Sequence, residues 1–97
     1  MLTSKQRAFL RATANTVDHI LHIGKGEISP AMLKQADDAL TARELFKGRV
    51  LESCALTARE AAETVALQTN AEVVQVIGRT FVLYRPNPKE TKIRLPK

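Results

Sequence analysis

The sequence is poor in what most small-molecule chemistry needs. It has one cysteine, Cys54, so an internal disulfide and any multi-cysteine zinc site are excluded. A reducing, cytoplasmic setting is the simplest expectation from that count. Aromatic residues make up 4% of the chain and tryptophan is absent, too few for a base-stacking platform of several rings. No apolar run approaches the 18 residues of a membrane span, and no apolar stretch backs the first charged residues as in a signal peptide. There is no internal repeat, no low-complexity segment, no dinucleotide fingerprint and no phosphate-binding P-loop. The two histidines, His19 and His22, are three apart on an expected strand and point to opposite faces, so they do not converge on a metal. Asp37 and Asp38 are adjacent on an expected helix and diverge. No cofactor, no metal and no catalytic set is expected, and 97 residues bury too modest a core to wall off a deep active site.

What the chain does have is positive charge, unevenly placed. Its 15 Lys and Arg against 10 Asp and Glu give +5. Residues 1–26 hold Lys5, Arg7, Arg11 and Lys25 against Asp18; residues 85–97 hold Arg85, Lys89, Lys92, Arg94 and Lys97 against Glu90. The stretch between has more acids than bases. Basic ends over an acidic middle suggest a polarised surface that attracts a polyanion.

Hydrophobic periodicity predicts seven elements in one domain over residues 1–86, followed by a basic tail over 87–97. Residues 3–14 read as a helix carrying Leu2, Phe9 and Leu10, with Arg7 and Arg11 together on another face. Residues 19–23 read as a short strand. A second helix starts at Ser29-Pro30, a cap followed by a proline at the first helical position, and runs to about residue 45. Residues 47–52 read as a strand with Gly48 and Val50 on one face and Lys47, Arg49 and Leu51 on the other. Thr57 and Glu60 form a capping box for a third helix whose small-residue stripe implies close packing on a sheet, with Asn70 as its terminator. Residues 72–77 and 80–85 flank Gly78-Arg79 as a tight hairpin. The order α-β-α-β-α-β-β predicts an α/β fold: a four-stranded mixed sheet with helices mainly on one face and the other face partly open.

Between the first strand and second helix lies Gly24-Lys25-Gly26-Glu27. Glycines let a backbone approach a phosphate, the following helix start offers partial positive charge, and Lys25 adds a full one. Other cations positioned to join it are Arg7, Arg11, Lys34, Lys47, Arg49 and, in the hairpin turn, Arg79. Phe81 and Tyr84 would stack bases only if they faced outward, and core positions suit them better.

Four blocks in register resemble one family: Arg7-x-x-Leu10-Arg11-Ala12; Ile23-Gly24-Lys25-Gly26; Ala39-Leu40-x-x-Arg43-Glu44-Leu45-Phe46-Lys47; and Val74 through Pro86. They resemble the CRM domain (chloroplast RNA splicing and ribosome maturation), in particular its bacterial single-domain, YhbY-like members. The resemblance implies a fold similar to the C-terminal domain of bacterial initiation factor three. It implies a non-enzymatic RNA-binding protein whose glycine-rich loop meets RNA, acting on rRNA in precursors of the large ribosomal subunit; a monomer is expected, though not from the resemblance. Docking on a ribosomal protein or assembly factor is the alternative partner. The family loop reads Gly-Lys-x-Gly, and here Glu27 holds its last position; Gly24, Lys25 and Gly26 carry over, the final glycine does not.

Overall fold

The computed structural model describes residues 2–17, 21–24, 28–87, 89, 93 and 95. Its elements run α1 (Ser4–Ala14), β1 (Leu21–Ile23), α2 (Pro30–Arg43), β2 (Leu45–Val50), α3 (Ala58–Thr69), β3 (Glu72–Ile77) and β4 (Thr80–Tyr84). The strands form one sheet in the order β1-β2-β4-β3, with β1 parallel to β2 and β4 antiparallel to both of its neighbours. The expected mixed α/β fold with four strands and three helices is therefore what the chain adopts. The crossovers through α2 and α3 step the same way across the sheet, so one handedness sets both helices on one face.

Local chemistry defines the helix ends. Thr3 and Gln6 close a capping box at α1, which the sequence reading overlooked; Thr57 and Glu60 close the expected one at α3. Ser29 accepts from Met32 N–H ahead of Pro30 at α2. Asn70 ends α3 in the left-handed conformation at φ 58°. Gly78 takes φ +57°, while Arg79 does not have positive φ. Positive φ at the first central residue alone is the II′ pattern that suits a two-residue hairpin.

Two cores sandwich the sheet. On one face Leu21, Ile23, Phe46, Val50, Phe81 and Leu83 meet α2 and α3, whose alanines at 58, 61, 62 and 66 bring the helix close to the strands. On the other face Leu10 and Ala14 of α1 meet Leu45, Val74, Val82 and Tyr84. Two helices thus share a face and α1 takes the opposite one, leaving only part of that second face open. Phe81, Val82, Leu83 and Tyr84 are all buried because β4 is central and covered on both sides.

The junction between α2 and β2 departs from the expected boundaries. The second helix stops at Arg43 and β2 begins at Leu45, two residues early at each side, because Glu44 turns the chain in the left-handed conformation at φ 65°. Its carboxylate is fully buried and accepts N–H bonds from Asn87 at 2.5 Å and Ile93 at 2.7 Å. Ile93 and Leu95 pack against the α1 core, so part of the segment expected as a basic tail lies against the domain.

Candidate nucleic-acid interface

Sheet direction gathers loops at one end. Since β1 and β2 are parallel with Ile23 opposite Val50, Gly24 and Leu51 leave the sheet side by side, and Leu51 N–H donates to Ile23 O at 2.8 Å. Antiparallel pairing of Arg49 with Thr80 brings the hairpin turn to the same end, where Val50 N–H donates to Arg79 O at 2.7 Å. The glycine loop's first residue, the exit of β2 and the turn Gly78-Arg79 therefore form one rim. Arg49 and Arg79 are both exposed on it.

The start of α2 follows the glycine loop, and that of α3 follows β2. They differ electrostatically. α3 has Glu60 in its first turn, whose carboxylate takes the Thr57 N–H, whereas α2 has no acid in its first turn. No acid within the first turn of α2 offsets the partial positive charge there. Gly24 is itself in ordinary surroundings: an added Cβ would lie 3.5 Å from Leu51 Cδ1 and Ser53 Oγ. Lys25 and Gly26, with Glu27, fall outside the described residues, as do His19 and Asp18.

The remaining expected contacts separate into two kinds. Arg7 and Lys47 are engaged by the fold. A bulge in β3 puts Val73 opposite Leu83 and Gln75 opposite Val82, leaving Val74 between them. Arg7 donates to Val73 O at 2.6 Å and Val74 O at 3.2 Å, satisfying carbonyls at the irregularity. Lys47 reaches Ala14 O and Val17 O, each at 3.4 Å, placing a cation at the C-terminal end of α1 where the helix dipole favours it. Arg11 and Lys34 are exposed; Lys34 lies 3.8 Å from Asp38, a solvated pair of little energetic consequence. So the structure unites Gly24, Arg49 and Arg79, sets Lys34 along α2 and Arg11 along α1, and binds Arg7 and Lys47 inward.

Phe81 and Tyr84 are core residues, with Phe81 tilted against Phe46 at 6.2 Å between ring centres. Burial, then the carboxylates of Glu44 and Glu72, push the Tyr84 hydroxyl above the usual tyrosine value of 10.0. Phe9, 40% exposed on α1, is the one Phe or Tyr ring with substantial exposure. Among the described residues no group of three or more His, Cys, Asp or Glu side chains could hold a metal, and no helix is long and apolar enough to cross a membrane. Sequence reasoning missed His22 as a neighbour of the site: it is exposed and pairs across the strands with Arg49. It also missed Gln75 and Ile77 on the same face. Their places depend on the bulge at Val74, which the sequence alone did not signal.

The chain that carries this arrangement matches a known family model. The description CRS1 / YhbY (CRM) domain fits residues 2–85. The chain belongs to the CRM domain family. It is 41% identical over 96 residues to YqeI of Bacillus subtilis, named a probable RNA-binding protein, covering 99% of this chain and all of that one. It is 32% identical over 96 residues to a protein of Haemophilus influenzae named an RNA-binding protein, covering 99% of this chain and 96% of the relative. A solution structure of the Staphylococcus aureus protein SAV1595 superposes with a TM-score of 0.77 at 43% identity, covering 99% of this CRM chain and all of the other.

Proposed function

We propose that this CRM domain is a cytoplasmic, monomeric RNA-binding protein that acts in assembly of the large ribosomal subunit by holding rRNA of its precursor, chiefly through phosphates. The observation that carries the reading is the rim itself: Gly24, Arg49 and Arg79 at one end of the sheet, beside a helix start with no acid in its first turn. The net charge of +5 and the RNA-binding names of its relatives support it. Lys25 and Gly26 complete the contact surface, with Arg11 and Lys34 as flanking cations. Arg7 and Lys47 serve it indirectly, by fixing α1 on the sheet. Binding rather than catalysis is the activity.

A titration by fluorescence anisotropy at several salt concentrations tests the mechanism. Affinity for single-stranded rRNA segments should fall with salt, with a log–log slope of roughly −0.7 for each phosphate neutralised. Salt-insensitive binding would overturn it. For the ribosomal role, the protein should sediment with large-subunit precursors and be released by nuclease. Association that survives removal of RNA would instead favour docking on a ribosomal protein or assembly factor.

A further inference from the structure

The uncovered part of the α1 face holds a recess of about 220 Å³ between the end of α1 and strands β2, β4 and β3. Buried Ala14 and Val82 give it an apolar base, and Ile77, 63% exposed, stands at its margin. Asn15, Lys47, Gln75 and Thr80 supply the polar lining, and no carboxylate lines it among the described residues. The side-chain amides of Asn15 and Gln75 have no hydrogen-bond partner among the described residues. Sites for drug-sized ligands span roughly 300–1,000 Å³, so this recess is on the scale of one planar ring system.

We propose that the recess receives a single unpaired RNA base, with adenine preferred. A carboxamide presents a donor beside an acceptor, which matches the exocyclic amine and neighbouring ring nitrogen of adenine. Ile77 and Val82 offer apolar contact to the base. Lys47 has three N–H donors, and the two carbonyls at the end of α1 occupy two. Arg49 lies two residues along β2 from Lys47, and Arg79 directly precedes Thr80 in the turn, so both are suited to the phosphates flanking an inserted base. Cations around a pair of amides, with no acid among the described lining residues, suit a polyanion carrying flat polar groups better than a peptide surface. The inference rests on the RNA-binding reading above and adds base selectivity to a phosphate-led contact.

The test uses the full chain and three labelled oligouridylates: one with a central adenosine, one with an abasic residue there, and one unmodified. The adenosine strand should bind at least about fivefold more tightly than the abasic strand, the lower end expected for a bidentate amide–adenine contact. Gln75→Leu and Asn15→Ala should each bring that ratio towards one. In the wild type, the Gln75 side-chain NH₂ signals should shift in NMR spectra with the adenosine strand and not with the abasic one, a readout that needs no variant. Salt-dependent binding with equal affinity for all three strands, or Gln75 signals indifferent to the adenosine, overturns the base pocket while leaving RNA binding intact. Failure to bind any strand overturns the RNA-binding reading itself, and the pocket with it.

Discussion

Replacing Gly48 by alanine tests how tightly the sheet is built under the proposed RNA surface. A Cβ added there would overlap Phe81 Cζ and sit 2.8 and 2.9 Å from its Cε2 and Cε1. Phe81 pairs across the strands with Gly48, is fully buried, and packs on Phe46. Its ring therefore has no empty volume to retreat into, and the conflict must be relieved by shifting β2 against β4. Overpacking of this kind costs about 1–3 kcal/mol. Losing the glycine's freedom in the unfolded chain offsets about 0.4–1 kcal/mol. The net loss should be about 1–2 kcal/mol, a fall in Tm of about 4–16 °C for a domain of this size. Thermal and urea unfolding followed by circular dichroism would measure it. The cause is tested by the cycle with Phe81→Leu, which makes room for the new methyl group: the double variant should be more stable than the sum of the singles by about 1 kcal/mol. A Gly48→Ala protein as stable as the wild type, or strict additivity in the cycle, would refute the steric account.

Other perturbations separate structural from ligand-facing charge. Arg7→Ala should lower stability by about 1–2 kcal/mol by stranding the bulge carbonyls, read as a reduced urea midpoint. By contrast, Arg49→Ala and Arg79→Ala should leave Tm within a few degrees, weaken RNA binding across many sequences, and each reduce the salt slope by roughly 0.7. Glu44→Ala should cost about 2–4 kcal/mol, since it leaves the Asn87 and Ile93 N–H groups without their buried acceptor, and hydrogen exchange at those two amides should accelerate. Tyr84 keeps its proton to higher pH when folded than when unfolded, so its contribution to stability is complete below pH 10.0 and is lost as pH rises towards the raised value. Tyr84→Phe should therefore lose less stability than the wild type on going above pH 10, measured by urea midpoints at paired pH values.

Features encoded by neighbouring residues were legible in advance: the box at Thr57 and Glu60, the start at Ser29-Pro30, the turn at Gly78-Arg79 and the alternation of Gly48 and Val50 against Lys47 and Arg49. What escaped the sequence depends on distant partners. Nothing near Glu44 says that a helix-compatible residue will turn left-handed, because the groups that hold its carboxylate lie more than 40 residues away. The side taken by α1 was hidden for the same reason, although the unbroken run Phe81–Tyr84 signals a strand covered on both faces. Arg7 and Lys47 looked like free cations because their acceptors are backbone carbonyls, which leave no mark in a sequence. Charge composition indicates an attraction to polyanions; it does not say which cations the fold has already engaged.

The second core also orders events during synthesis. Its helix, α1, leaves the ribosome before Val74, Val82, Tyr84, Ile93 and Leu95, which cover that helix. Leu10 and Ala14 must wait for β3 and β4 before they can be buried, and the acceptors that Arg7 finds on β3 lie 66 and 67 residues downstream. The α2–α3 face can begin to condense earlier, but the sheet is not closed until β4 is free to join β2 to β3. Two hydrophobic clusters therefore behave as one cooperative unit, completed only when α1 meets β3, β4 and the segment that follows them.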